Sequence, residues 1–147
     1  MKTITHYSFK INFDAALFPS QHITRVGVII RDGRGLPIAA LCKQFQCLYM
    51  VDDAEATAAR EAVTFAREIG ISDAEVEGDS LTICNALKNR YSIFVSISDI
   101  IDEAHLLAGA FQQISFSHVK RDGNRATHML AHRALDLQED FLVWRMF

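Results

Sequence analysis

Several carboxylates and histidines in this sequence stand where they can gather cations or move protons. Asp14 lies in Ile11-Asn12-Phe13-Asp14-Ala15-Ala16, a strand-like run in which Asp is disfavoured, so metal binding competes there with simple solvation of a strand face. Asp79, in Gly78-Asp79-Ser80, can either cap a following helix or hold a cation. Glu55, read in the first turn of a helix, can complement the helix dipole or reach toward a metal. Carboxylates of this kind suit hard divalent cations, which take oxygen ligands. His128 and His132 share a helix face at a spacing that can hold zinc, but with no third ligand in view a solvated pair is the simpler reading. Lys120, Arg121 and Arg125 form a basic cluster suited to phosphate contacts or to plain loop solvation.

The frame that must position these groups is one domain. A chain of 147 residues buries roughly 70% of its unfolded surface around a single core. Its 50% hydrophobic and 22% charged residues exclude disorder. A formal net charge of -3 supplies no overall positive field, so attraction to nucleic acid must be local. Cys42, Cys47 and Cys84 are odd in number and lack a close pair, which favours buried thiols in a reducing compartment over disulfides or zinc. No stretch approaches the ~20 apolar residues of a membrane span, and Met1 to Ser8 lacks the apolar core of a secretion signal. The expectation is a soluble intracellular protein, nuclear or cytoplasmic, with no membrane partner.

Hydrophobic periodicity supplies the elements. Tyr7 to Ala16 alternates, with Phe9, Ile11 and Phe13 on one side and Ser8, Lys10, Asn12 and Asp14 on the other. Ile23 to Arg31, the turn Asp32-Gly33-Arg34-Gly35, and Leu36 to Phe45 read as a hairpin completing an antiparallel meander. Pro37 favours an edge position for the third strand. Ala58, Ala62, Phe65 and Ile69 mark one face of a helix that opens near Asp52-Asp53 and ends at Gly70. A short strand, Ala74 to Glu77, then leads through Asp79 into a helix. Tyr91 to Val95 reads as a loop. Beyond it come a helix from about Ser98 to Ala110, a strand from Gln113 to Val119, and a last helix from Asn124, its expected N-cap, to about Gln138. Later strands reached through helices should join the sheet in parallel.

Five segments in this order carry a family likeness: Ile11–Ala16, Gly27–Asp32, Ala54–Ala62, Glu77–Ser80 and Ser117–Arg125. Over residues 8–138 the chain resembles the plant-type RNase H-like domains related to the RNase H part of reverse transcriptases. The resemblance implies an α/β fold with a five-stranded mixed sheet, three antiparallel strands followed by two parallel ones, flanked by helices. Residues 139–147, including the apolar run Phe141 to Phe147, fall beyond it and are expected to pack on the domain or a partner.

By position, the resemblance makes Asp14, Glu55 and Asp79 three of the family's four acidic catalytic and metal-binding residues. The fourth, four residues after the Asn that opens the last helix, is His128 here. The implied cofactors are two Mg²⁺ or Mn²⁺ ions, which stabilise both the attacking and the leaving oxygen in phosphodiester hydrolysis. A neutral His128 leaves the protein one negative charge short and suits Mn²⁺ better than Mg²⁺. Asp-Glu-Asp-His sets nevertheless occur in active nucleases of the wider fold, the Argonaute slicers among them. The implied activity is cleavage of RNA in RNA–DNA hybrids, with Asn85, His118, Arg121, Asn124 and Arg125 as nucleic-acid contacts. His118 matches a family position linked to proton transfer or product release, and Asn85 and Asn124 could read the 2′-OH in a minor groove. Two alternatives stand beside this: a nucleic-acid-binding domain with little turnover, suggested by His128 and the acidic charge, and a domesticated retroelement-derived module for protein contacts, suggested by the apolar tail.

Overall fold

The structure is a computed structural model and describes residues 8–46, 50–89, 95–133 and 141–144. The expectations for Cys47, for residues 91–94 and for the helix beyond Arg133 lie outside them. β1 (Phe9–Phe18), β2 (Ile23–Asp32) and β3 (Pro37–Gln46) form the antiparallel meander. α1 (Val51–Glu68) leads to β4 (Asp73–Gly78), α2 (Leu81–Asn89) and α3 (Val95–Ala108) follow, and β5 (Gln113–His118) joins in parallel. α4 (Arg125–Arg133) is entered through a 3-10 turn at Arg121–Asn124, and β6 (Phe141–Trp144) comes last. The sheet order is β5-β4-β1-β2-β3-β6, which places β1 inside the sheet.

The last member of that order departs from expectation. β6 pairs antiparallel with Ala39–Cys42 of β3, so a sixth strand extends the five-stranded sheet. β3 is therefore not the edge that Pro37 suggested. Proline costs a ladder hydrogen bond only where its missing N–H would be used, and Pro37 stands at the start of β3, outside the β6 pairing.

Period-two alternation in the strands sorts side chains onto two faces. Ile11, Phe13, Val26, Val28, Ile30 and Val76 are fully buried in one core with α1, α2 and α3. α1 fits because its buried face is mostly alanine: Ala54, Ala58, Ala59, Ala62 and Ala66 are all fully buried. α4 lies on the opposite face, where it needs a glycine beneath it. A Cβ on Gly27 would stand 2.9 Å from the Thr127 carbonyl oxygen and 3.1 Å from the Ala131 nitrogen. Asp14 pairs with Gly27 across the β1–β2 ladder, so the gap that seats α4 lies directly beside it.

The parallel β1–β4 pairing runs only from Phe9↔Ala74 to Asn12↔Glu77. Beyond it the strands part and open a crevice at their carboxyl ends, the usual place for a ligand site in such sheets. Gly78 closes the base of this crevice, since a Cβ there would sit 2.7 Å from Phe13 Cε2. Gly78→Ala should therefore push the Phe13 ring out of its place and cost about 1–3 kcal/mol, as overpacking of a filled core does. Thermal unfolding measures it, and an unchanged midpoint would show that the Phe13 contact is soft.

Candidate active site

Three elements deliver one carboxylate each to the mouth of this crevice. Asp14 projects from β1, Glu55 from α1, and Asp79 follows the end of β4. One ligand oxygen of each lies within 4.8 Å of the others, and no other such group of three or more potential metal ligands occurs among the described residues. Asp14 is 2% and Glu55 5% exposed, while Asp79 is half-buried.

The competing local roles go to other residues. Ser80 Oγ accepts the Ile83 N–H at 3.3 Å and caps α2, which leaves the Asp79 carboxylate free of that duty. α1 begins at Val51, so Asp52 and Asp53 occupy its first turn and Glu55 stands one turn further in, not at the dipole terminus. Glu55 Oε2 is buried with no hydrogen-bond partner. A buried, unpartnered carboxylate oxygen beside two further carboxylates is costly unless a cation compensates it. The donor set is all oxygen, which fits a hard divalent ion.

The charges register this crowding. Burial, then the charge of Asp14 and a shared hydrogen bond with it, hold Glu55 well above the usual carboxylate range. Burial and the Asp14 charge also raise Asp79, opposed by a hydrogen bond from Asn124 and by the charges of Arg121 and His128.

His128 stands on α4 with Nδ1 2.6 Å from Asp14 Oδ2. Its ring centroid is 4.2 Å from that of His132, which in turn meets Phe18 edge-on, so the histidines are not a simple solvated pair. Burial, reinforced by His128, lowers the His132 pKa. His118 is exposed, with Nε2 3.2 Å from the Asp79 carbonyl oxygen. Arg121, Arg125 and Asn85 are exposed.

Asn124 is placed differently from its expected roles. It is 1% exposed, lies in the 3-10 turn before α4, and turns its side chain inward, where Nδ2 donates to the Phe13 carbonyl at 2.9 Å and Oδ1 accepts from Asn12 at 3.1 Å. It neither caps α4 nor reaches outward. Sequence reasoning also passed over its partner Asn12, whose only signal was a polar residue two positions before Asp14 on the same strand face. Cys42 and Cys84 are buried thiols with no disulfide between them, and burial pushes Cys84 up to about 11, which leaves it inert at neutral pH.

A mixed sheet with helices on both faces and a carboxylate cluster at the parting of its central strands defines an RNase H-like domain. The chain matches the profile of the reverse transcriptase-like family over residues 12–134 and belongs to that family. RNase H1 from the halophilic archaeon Halobacterium salinarum NRC-1 superposes with a TM-score of 0.80 at 25% identity, covering 87% of this chain and 97% of that one. The N-terminal RNase H domain of a Mycobacterium tuberculosis protein gives 0.77 at 19% identity over 88% and 94%. LC11-RNase H1, from a compost metagenome and solved with an RNA/DNA hybrid, gives 0.77 at 19% identity over 87% and 96%. No curated protein sequence matches the chain. Among the described residues no helix is long and apolar enough to cross a membrane.

Because the folded state raises the Glu55 pKa, Glu55 contributes stability that is complete below about pH 4.5 and is lost as pH rises. In EDTA the melting temperature should fall between pH 5 and pH 8, and Glu55→Gln should flatten that fall and melt a few degrees higher at pH 8. Parallel pH profiles for the two proteins would show that Glu55 carries no such strain.

Proposed function

We propose that this protein is a divalent-metal-dependent endoribonuclease that cuts the RNA strand of RNA–DNA hybrids. The observation that carries the reading is the convergence of Asp14, Glu55 and Asp79 within 4.8 Å, with a buried Glu55 oxygen left unpartnered. Asp14, Glu55, Asp79 and His128 are the residues that would hold two ions, Mg²⁺ or Mn²⁺. When bound, such a pair supplies Lewis acidity on both sides of the scissile phosphate.

The rest is done by the chain. Asp14, fixed by its pairing with Gly27 inside the sheet, orients the site. Glu55 is held by the packed alanine face of α1, so it meets an incoming charge without first reorganising. Asp79 faces the solvent side of the crevice, the direction from which a phosphodiester and a water can enter. Exposed Arg121 and Arg125 lie where they can neutralise phosphates, and exposed Asn85 on α2 can meet a 2′-hydroxyl, which RNA has and DNA lacks. The hybrid seen in the LC11-RNase H1 complex supports this substrate class. His118 Nε2, near the Asp79 carbonyl, stands where it can pass a proton to the departing product.

A second reading, binding with little turnover, rests on His128. Its imidazole occupies the position of a carboxylate and engages an oxygen of Asp14, which removes one negative charge and favours Mn²⁺ over Mg²⁺.

Cleavage of a labelled RNA–DNA hybrid separates the two. The expected result is Mn²⁺-supported cleavage exceeding that in Mg²⁺, abolished by Asp79→Asn, with His128→Asp raising the Mg²⁺ rate on the order of tenfold, about 1.4 kcal/mol of barrier. Hybrid binding without cleavage in either metal would leave the second reading in place of the first.

A further inference from the structure

A buried polar chain runs from the sheet to the back of the carboxylate cluster. Lys10 Nζ lies 3.2 Å from Glu77 Oε1. Glu77 Oε2 accepts from Asn12 Nδ2 at 3.2 Å, and the same Nδ2 donates to Asn124 Oδ1 at 3.1 Å. Asn124 Nδ2 donates to the Phe13 carbonyl at 2.9 Å, and the same amide lies close enough to the Asp79 carboxylate to favour its ionised form. Asn12 is 6%, Glu77 7% and Asn124 1% exposed.

The chemistry of the two amides gives this chain a direction. An ionised carboxylate only accepts, whereas an amide end is either a donor of two protons or an acceptor. Glu77 therefore requires Asn12 to present its NH₂ group. That NH₂ spends its second proton on Asn124, which must answer with Oδ1. The NH₂ of Asn124 is then left facing the Phe13 carbonyl, which can only accept, and the side of Asp79.

We propose that Asn12 and Glu77 are positioning residues whose polarity fixes the donor face of Asn124, and through it the placement of Asp79 and of the β1 backbone that carries Asp14. The claim rests on the nuclease reading only for its consequence in metal binding. Its structural part, the orientation of Asn124, stands independently. Neither Asn12 nor Glu77 touches the reacting groups. Partners at this remove commonly change metal affinity 10- to 100-fold when altered.

A reciprocal exchange of charge separates polarity from mere packing. In Asn12→Asp the new carboxylate faces Glu77, and the only donor it can recruit from Asn124 is that residue's NH₂, so Asn124 must turn over. Adding Glu77→Gln relieves the repulsion, because the amide introduced on β4 donates to the carboxylate introduced on β1, and restores the hydrogen bonds among positions 12, 77 and 124 and the charge count, though not the donor to the Phe13 carbonyl. It leaves Asn124 turned over, with Oδ1 against Asp79.

Side-chain amide NMR, thermal melts in EDTA, and Mn²⁺ titration by calorimetry are to be made on wild type, Asn12→Asp and the double variant. The wild type should show nuclear Overhauser contacts from the Asn124 NH₂ to Phe13. The double variant should recover part of the melting temperature lost by Asn12→Asp, yet show the Asn124 NH₂ against residue 12 and a Mn²⁺ affinity still on the order of 10- to 100-fold below wild type. Recovery of Mn²⁺ affinity together with stability, or an Asn124 NH₂ that keeps its wild-type contacts in the double variant, would overturn the proposal. A wild type that takes up no Mn²⁺ would sink the nuclease reading instead, and the amide contacts would still decide the relay.

Discussion

Like-charge crowding sets the terms for this molecule. Two of the three carboxylates in the cluster are almost wholly buried, and all three meet within 4.8 Å. Left to itself such a cluster flies apart or takes up protons, so the remaining architecture has to hold it together. The interior position of β1 fixes Asp14, the buried alanine face of α1 positions Glu55, and a serine cap frees Asp79. Each support is ordinary by itself. Their coincidence at the point where β1 and β4 part is what makes a site.

Compensation of that charge is uneven, and the unevenness has chemical meaning. On the Asp79 side, the Asn124 hydrogen bond and the charges of Arg121 and His128 offset part of the repulsion. On the Glu55 side an oxygen stays buried without a partner, and only the Ala15 backbone favours the ionised form. A protein under selection for stability alone would satisfy that oxygen. An oxygen left open in this way fits the proposed metal site, where a cation would relieve the strain of the metal-free cluster.

Much of this was legible in the sequence. Alternation in Ile11–Ala16 placed Asp14 on the polar face, the Gly78-Asp79-Ser80 junction marked a strand-to-helix turn, and the order of strands and helices indicated the sheet. What escaped reading is of two kinds. The pairing of Phe141–Trp144 with β3 depends on contacts between residues far apart in the chain, and a short apolar run carries no record of which edge it will find. The inward turn of Asn124 escaped because an Asn before a helix satisfies the local rule for a cap equally well. Only the approach of β1, bringing the Phe13 carbonyl and Asn12 within reach, decides against it.

The departure at position 128 also has a structural logic. Asp14, Glu55 and Asp79 depend on one another through the sheet and the helices packed on its core face, so altering any of them disturbs groups already in repulsion. His128 alone comes from α4, on the opposite face, seated over Gly27 and joined to the cluster by its contact with Asp14. Its helix is held by backbone fit at Thr127 and Ala131, not by the residue at 128. A change at that position therefore leaves the seating of the helix intact while altering the contact with Asp14 and the charge beside Asp79. In the proposed metal site, position 128 is accordingly the one whose side chain the packing of Asp14, Glu55 and Asp79 does not constrain.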